Sequence, residues 1–311
     1  MQDHIELVNQ LAIATPSPVN PIQLPVLQDY DVTLEVKRDD LLHPIISGNK
    51  WRKLQGHLQR VLNAKTQNDS PISALLSFGG GFSNHLHALG YCCYQLHMPF
   101  TAIVRGNYTS HFTPMLEDLQ AWGTTIQFVD KKTYQRRYEP DYLRLLSHEH
   151  PKTRIIPEGG SDDLVLKGVA SMLDEIEDLD EYEYLLCPVA SGGTLAGIAQ
   201  GLAERNSRCQ VIGIAMLKGD TYLENLVRQL LPNEYPMPRI IHDFHCGGYA
   251  KCPTQLATFC DNFAEQTHIP VEPVYSGKLF YAIMQLIEQG FFPKGSRLLA
   301  LHTGGLQGAR K

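Results

Sequence analysis

The stretch YLLCPVASGGTLAG, residues 184–197, decides the fold class, because an apolar strand runs into a glycine-rich turn that opens a helix. Glycines at such a turn let backbone N–H groups face an anion, and the helix N-terminus adds partial positive charge. Ser191 and Thr194 add hydroxyl donors, but Ser and Thr are also common helix caps. The spacing therefore leaves two interpretations open, a phosphate loop and a capped turn. It matches neither a Walker A loop nor the G-x-G-x-x-G of nicotinamide binders.

Short β-branched runs alternate with helical patterns along the chain, which is typical of parallel sheets with helices on both faces. The predicted strands are Val32–Val36, Ile72–Phe78, Thr101–Arg105, Thr125–Val129, Arg154–Ile156, Tyr184–Pro188, Val211–Ala215 and Arg297–Leu301. The predicted helices are Arg52–Leu62, Asn84–Leu96, Pro114–Trp122, Val165–Ile176, Thr194–Glu204, Tyr222–Leu231, Thr254–Glu265 and Lys278–Glu288. Glycine-rich turns follow four strands, at 79–81, 159–160, 192–193 and 304–305. Because ligands bind at the carboxyl ends of strands in such sheets, we expect the four turns to face one crevice.

Composition places the chain among ordinary globular enzymes. The 311 residues are 43% hydrophobic and 19% charged, and the length is enough for two lobes with sizeable cores or for one large α/β unit. The net charge of −6, without a long basic stripe, argues against nucleic acid as a partner. The sequence contains no run of 18 apolar residues, so no membrane span is predicted, and the N-terminus lacks a signal-peptide pattern. Seven cysteines, an odd number without C-x-x-C, indicate a reducing cytoplasm.

The run SGNKWRKL, residues 47–54, contains a candidate nucleophilic lysine, Lys50. A lysine can bond to an aldehyde cofactor only if its amine loses its proton readily. Positive charge on Arg52 and Lys53 is expected to depress the pKa of Lys50. The alternative is a solvated basic helix face.

Polar side chains open a second helix in the run SFGGGFSNH, residues 77–85. The helix-start amides with Ser83 and Asn84 predict a cradle for a substrate carboxylate, whereas the alternative is simple capping by Ser83. The run EPVYSGK, residues 272–278, is interpreted as a strand end that presents Tyr275, although a core tyrosine is the commoner case. Thr303 lies at the exit of the last predicted strand, and Gly247-Gly248-Tyr249 is a candidate loop over the crevice or a plain turn.

No metal site is predicted. His85 and His87 are two residues apart and cannot face one way on a helix. The cluster His242, His245 and Cys246 has suitable ligand types but no fourth ligand at a familiar spacing. No role is assigned to the adjacent Cys92 and Cys93.

Taken in order, these motifs resemble the pyridoxal-phosphate enzymes of the tryptophan-synthase β-like fold. Within them the chain is similar to the group that holds 1-aminocyclopropane-1-carboxylate deaminase and D-cysteine desulfhydrase. The resemblance runs from residues 37–40 to residues 303–305 and implies pyridoxal 5′-phosphate as cofactor and a homodimer. It also implies a larger cofactor domain, residues 1–54 and 156–311, with a smaller domain at 55–155 inserted in it.

The resemblance also implies roles for single residues. Lys50 matches the lysine that forms a Schiff base with the cofactor, and Lys53 matches a lysine near its phosphate. The other matches are the phosphate loop (Ser191, Gly192, Gly193, Thr194), the partner of the cofactor's phenolic oxygen (Asn84), the substrate-carboxylate loop (Ser83, Asn84, His85) and two active-site tyrosines (Tyr249, Tyr275).

Two positions separate the branches of this group. After the active-site tyrosine the deaminase has a glutamate that keeps the pyridine nitrogen protonated, whereas this chain has Ser276, a neutral partner that favours an unprotonated ring. The deaminase has a leucine where this chain has Thr303. The resemblance therefore implies α,β-elimination on a small amino acid, with D-cysteine giving pyruvate, sulfide and ammonia. A deaminase of 1-aminocyclopropane-1-carboxylate, a β-replacing synthase, a racemase and a non-catalytic carrier of the cofactor stay open as alternatives.

Overall fold

A computed structural model describes residues 2–66, 72–219 and 221–309. Within them ten strands form two sheets. The strands are β1 (Val19–Pro21), β2 (Thr33–Lys37), β3 (Ala74–Gly80), β4 (Phe100–Arg105), β5 (Thr125–Val129), β6 (Thr153–Ile156), β7 (Tyr184–Val189), β8 (Gln210–Ala215), β9 (Arg239–Ile241) and β10 (Arg297–Leu301). The α-helices are α1 (Gln2–Gln10), α2 (Pro25–Asp29), α3 (Asn49–Thr66), α4 (Asn84–Gln95), α5 (Pro114–Ala121), α6 (Lys131–Gln135), α7 (Pro140–Glu149), α8 (Asp163–Ala170), α9 (Gly193–Glu204), α10 (Tyr222–Leu230), α11 (Thr254–Thr267) and α12 (Ser276–Glu288).

The larger sheet has the strand order β1-β2-β10-β7-β8-β9 and is parallel except for the edge strand β1. Both of its faces are buried. On β10, Leu298 and Ala300 pack with α12, while Leu299 and Leu301 pack with α8 and α9. A strand covered on both faces reads as a continuous apolar run, which is why 297–301 shows no polar alternation.

The smaller sheet has the order β5-β4-β3-β6 and is parallel throughout. Leu75 on β3 faces a core formed with α3 and α4, whereas Leu76 faces a second cluster that includes Tyr142 of α7. The carboxyl ends of β3 and β6 lie side by side, since Ser77 pairs with Ile156. This edge holds the turns 79–81 and 159–160.

The predicted α/β class with parallel sheets flanked by helices is confirmed. The smaller sheet is built from β3 to β6, but α3 runs across the predicted boundary at 54/55, and β6 across that at 155/156. Those domain boundaries stay a prediction. None of the helices in the described part combines the length and apolar character needed to cross a lipid bilayer.

Three predicted elements need correction. The run before Tyr275 is not a strand: residues 269–272 have no regular secondary structure and residues 273–275 form a turn that leads into α12, because Pro270 and Pro273 have no N–H to donate to a ladder. The helix predicted over 165–176 is α-helical only to Ala170 and continues as a 3-10 segment, Ser171–Glu175. The helix predicted from Arg52 begins earlier, at Asn49, so Lys50 lies in its first turn. The short strands β1 and β9 and the helices α1, α2, α6 and α7 were not predicted.

Candidate active site

Lys50 lies at the start of α3, where its Nζ donates a hydrogen bond to Asn49 Oδ1. Burial lowers the pKa of Lys50 to about 8, and the nearby Glu272 carboxylate acts in the opposite direction. An amine with this pKa is partly neutral near pH 7 and can act as a nucleophile. The structure thus supports the chemistry expected of Lys50.

The charge of Arg52 does not account for this pKa, contrary to the expectation from sequence. Arg52 is buried and pairs with Asp39 at 2.9 Å and with Glu175 at 2.6 Å. Glu175 also accepts from Lys37 at 2.7 Å. Because the two carboxylates balance Arg52, desolvation is the main cause of the low pKa of Lys50. The interpretation of Arg52 as an activator was wrong.

Lys53 lies one helical turn after Lys50 and points to the turns after β6 and β7. Its Nζ lies 2.9 Å from Ser191 Oγ and 3.1 Å from Ser161 Oγ, and the two hydroxyls are 2.9 Å apart. Burial, and then the charge of Lys50, lower the pKa of Lys53 to about 7. Sequence reasoning missed Ser161, although it directly follows the glycine pair 159–160.

The turn after β7 has the form of an anion site. Gly192 has φ +78°, and a Cβ there would lie 3.1 Å from the backbone of α10, so this close turn requires glycine. Gly193 and Thr194 begin α9, and a Cβ at Gly193 would lie 3.4 Å from Lys53 Nζ, so this helix start with its free N–H groups is close to Lys53. Thr194 Oγ1 accepts from Asn49 Nδ2 at 3.1 Å, which joins this turn to the start of α3.

The start of α4 lies against the turn that follows β10. Ser83 caps the helix, with Oγ accepting from the backbone N–H of Leu86 at 3.2 Å. The Asn84 carboxamide accepts from Gln307 Nε2, and Gly305 lies against it. The four glycine-rich turns converge as expected: Gly159 lies against Ser191, and Gly160 against Lys53.

The His85 ring does not point toward a substrate cradle. Ser77 Oγ donates to Ile156 O at 2.8 Å and so accepts from His85 Nε2 at 2.7 Å, which leaves the proton on Nε2. Burial, with the charges of Lys53 and Lys50, holds the pKa of His85 well below its usual value, so the ring is neutral. The neutral ring is thus not a donor to a carboxylate, and the group of His85 that can bind one at this helix start is its backbone N–H.

Tyr275 and Tyr249 form a pair whose phenol oxygens lie 3.2 Å apart. Burial raises the pKa of Tyr275 well above its ordinary value, so the phenol stays protonated. Tyr249 is exposed, and the turn that carries it is held by Lys278, whose buried Nζ donates to Gly248 O at 2.7 Å. The run 247–249 is therefore a loop that reaches Tyr275.

Ser276 and Thr303 are both buried. Ser276 begins α12 and is hydrogen-bonded to Glu272, a contact that sequence reasoning missed. Thr303 follows β10, and its carbonyl accepts from the Asn49 N–H at 3.3 Å. The end of β10 therefore lies against the segment that carries Lys50.

The comparison with known proteins agrees with this geometry. The sequence profile described as "Pyridoxal-phosphate dependent enzyme" matches residues 12–304. The chain belongs to this family. Its cofactor is pyridoxal 5′-phosphate, and the described residues fit it: Lys50 would supply the amine, while Lys53, the two serine hydroxyls and the start of α9 suit a phosphate.

Similar proteins carry the names of 1-aminocyclopropane-1-carboxylate deaminase and of D-cysteine desulfhydrase. A protein from Pyrococcus abyssi, provisionally named 1-aminocyclopropane-1-carboxylate deaminase, is 30% identical over 304 residues, which cover 93% of this chain and 89% of that protein. A mitochondrial protein of Arabidopsis thaliana, named bifunctional D-cysteine desulfhydrase/1-aminocyclopropane-1-carboxylate deaminase, is 26% identical over 94% of this chain and 77% of its own length. A crystal structure described as an ACC deaminase homologue superposes with a TM-score of 0.80, 26% identity and coverage of 99% and 96%.

The cysteine and histidine clusters make contacts of their own. Cys92 and Cys93 are buried in the core beside α3. His242 pairs with Glu224 at 2.7 Å, His245 accepts from the Gly247 N–H, and the Cys246 thiol donates to a backbone carbonyl. Among the described residues, no group of three or more histidine, cysteine, aspartate or glutamate side chains is arranged to hold a metal ion.

Proposed function

We propose that this pyridoxal-phosphate enzyme catalyses α,β-elimination on a small amino acid and that D-cysteine is its lead substrate. The observation that carries the proposal is the Tyr275 phenol, hydrogen-bonded to Tyr249 and carried by a segment whose Glu272 is close enough to Lys50 to raise its pKa. A phenol that keeps its proton at neutral pH can donate a hydrogen bond to the sulfur as it departs.

The residues have two roles in the reaction, proton transfer at the α-carbon and stabilisation of the leaving sulfur. When bound, pyridoxal phosphate supplies an electron sink for the pair left at the α-carbon. Lys50, whose free amine has a pKa of about 8, would hold the α-proton at Nζ. The Cβ–S bond would then break, hydrosulfide would leave with the bonding pair, and the Tyr275 hydroxyl would donate a hydrogen bond to it. The remaining enamine takes up water and yields pyruvate and ammonia.

Binding of the substrate would use the start of α4. The free N–H groups of this helix and the side chain of Asn84 would hold the α-carboxylate, with Ser83 fixing the helix start. Thr303 would lie beside the cofactor ring, as would Ser276, and both are polar side chains where the deaminase branch carries leucine and glutamate. This polar pair favours D-cysteine over the cyclopropane substrate.

Deamination of 1-aminocyclopropane-1-carboxylate is the second candidate, because the Pyrococcus abyssi relative carries that name. The test is to supply the holoenzyme separately with D-cysteine, L-cysteine and 1-aminocyclopropane-1-carboxylate. Sulfide and pyruvate in equal amounts from D-cysteine support the proposal. Formation of 2-oxobutanoate from the cyclopropane, without sulfide from D-cysteine, would assign the deaminase activity instead.

Three further alternatives have separate outcomes in the same assay. A β-replacing synthase needs a second nucleophile for turnover, and a racemase inverts the substrate without releasing pyruvate. A carrier of the cofactor would bind it equally well after Tyr275→Phe or Ser83→Ala and would turn nothing over. For the enzyme, Tyr275→Phe is expected to lower kcat while the cofactor remains bound.

A homodimer in the cytoplasm also stays a prediction that rests on the family resemblance and on the odd number of cysteines. Sedimentation of the holoenzyme would test the assembly.

A further inference from the structure

Glu272 is a buried carboxylate beside the start of α12, 3% exposed. Its Oε2 accepts from the Val274 N–H at 2.7 Å, and its Oε1 accepts from the N–H groups of Tyr275 at 2.9 Å and Ser276 at 2.8 Å. In the described part of the chain, these amides and the Ser276 hydroxyl hold it, and no cation lies within ion-pair distance. The carboxylate therefore fixes the backbone that presents Tyr275 and Ser276.

The hydroxyl of Ser276 has one proton to donate and two lone pairs that accept. One lone pair takes the Glu272 N–H at 2.9 Å. The proton is directed to Glu272, with Oε1 at 3.2 Å and the carbonyl oxygen at 3.4 Å. What remains on Ser276 is one lone pair, which can only accept.

We propose that Glu272 makes Ser276 a hydrogen-bond acceptor toward the ring nitrogen of pyridoxal phosphate, so that this nitrogen is bound in its protonated form. The inference rests on the proposed function, in which Ser276 lies beside the cofactor ring, and on the family resemblance, which implies that Ser276 faces the ring nitrogen. It reverses the expectation from sequence, in which a neutral serine favours an unprotonated ring. In the deaminase branch the glutamate itself faces the ring. Here the hydroxyl of Ser276 stands between the ring and the negative charge, which comes from Glu272, four positions before Ser276 in the chain.

The electrostatic surroundings are compatible with an ionised Glu272. Burial raises the pKa of Glu272 to about 6, and the N–H groups of Ser276, Val274 and Tyr275 limit the rise, so the group is mainly a carboxylate at pH 7.5. The titratable groups that sense its charge are Lys50, Tyr275, Lys278 and Cys260. With Lys50 bonded to the cofactor, Lys278 is the lysine of this group that would favour the ionised form of Glu272.

The test is the ¹⁵N NMR signal of ring-labelled pyridoxal phosphate bound to the full-length protein at pH 7.5, which differs between a protonated and an unprotonated pyridine nitrogen. We expect the protonated position in the wild type and in Ser276→Thr, which keeps the hydroxyl. Glu272→Gln and Ser276→Ala should move the signal to the unprotonated position. Asp130→Asn is the matched control and should leave the signal unchanged. Like Glu272, Asp130 accepts hydrogen bonds from the backbone N–H and the hydroxyl of one residue, here Thr133, but it lies at an exposed helix start.

An unprotonated signal in the wild type, or a protonated one that survives both Glu272→Gln and Ser276→Ala, would overturn the inference. If Glu272→Gln does not fold, Ser276→Ala against Ser276→Thr still decides, since both retain Glu272. Failure of the proposed function would give a different result. The enzyme would then release no sulfide from D-cysteine, while the labelled cofactor would still report the protonation state of its ring nitrogen.

Discussion

Asn49 donates a hydrogen bond from Nδ2 to Thr194 Oγ1 at 3.1 Å, and its carbonyl oxygen accepts from the amine of the neighbouring Lys50. One carboxamide therefore spans from the nucleophilic amine to the start of α9. The two segments are 145 residues apart in sequence. This contact fixes the distance between the amine and the proposed phosphate loop before any ligand binds. Less conformational entropy is therefore lost when the ligand binds.

Asn49→Ala should weaken cofactor binding by about fivefold, since one net hydrogen bond contributes about 1 kcal/mol. Titration of the apoprotein with pyridoxal phosphate, followed by its visible absorption band, measures the change. Asn225→Ala, at an exposed position on α10, is the control and should leave the affinity unchanged. Equal affinities for Asn49→Ala and the wild type would show that the bridge does not organise the site.

Lys53 should make phosphate binding depend on pH. Its pKa in the ligand-free protein is about 7, and a bound phosphate favours the protonated amine. Affinity for a phosphate ligand should therefore fall as pH rises above 7, approaching tenfold per pH unit from this group. The probe is 4-deoxypyridoxine 5′-phosphate, which has no aldehyde and so cannot bond to Lys50.

Binding of this analogue is measured by calorimetry between pH 7 and 9. Lys53→Met should weaken binding at pH 7 and remove about one unit from the slope of log affinity against pH. An unchanged slope in the variant would assign the pH dependence to another group, with Lys50 the first to consider.

The parts of the site that sequence predicts are those built from contiguous residues. The turn Ser191–Thr194 follows a strand and opens a helix within one short run, so local rules place it correctly. The missed contacts join distant segments: Ser161 meets Lys53 across 108 residues. Nothing in the local pattern around Lys53 specifies that partner.

Local charge arguments fail for a related reason. Arg52 stands next to the nucleophile in sequence, yet its guanidinium is directed to Glu175, 123 residues away. The effect of a charge depends on what neutralises it in the folded chain, and that partner is set by tertiary packing. The hydrogen-bond partner of Ser276 was missed in a similar way. Glu272 lies in the run EPVYSGK, residues 272–278, but the sequence pattern assigned it no role.

Glu175 should stabilise the fold through its contacts with Arg52 and Lys37. The hydrogen bonds and charges of these two residues lower the pKa of Glu175 to about 2, against the opposing effect of burial. A carboxylate whose pKa falls on folding adds stability above its unfolded pKa of about 4.5 and loses it as pH drops toward 2. Glu175→Gln should cost about 2 to 3 kcal/mol at pH 7, allowing for solvent at its edge.

Urea unfolding of the wild type and Glu175→Gln at pH 7 and pH 3 measures this difference, which should shrink at the lower pH. Glu177→Gln changes an exposed carboxylate two residues away and should have little effect at either pH. A penalty for Glu175→Gln that is the same at both pH values would contradict the assignment to ionic contacts.

Gly48 should tolerate no side chain, because it lies where the segment before Lys50 crosses the end of β10. Its φ is +62°, and a Cβ there would lie 1.9 Å from the carbonyl oxygen of Thr303. Gly290 is a matched control with φ +65° and no atom within 4 Å of the corresponding position. Gly290→Ala should lower the free energy of unfolding by about 1 kcal/mol, the cost of placing alanine in the left-handed conformation. Gly48→Ala bears the same cost and must also displace the backbone at Thr303. We therefore expect a loss at least twice as large in urea unfolding, together with weakened cofactor binding, whereas equal losses in the two variants would mean that the crossing can relax.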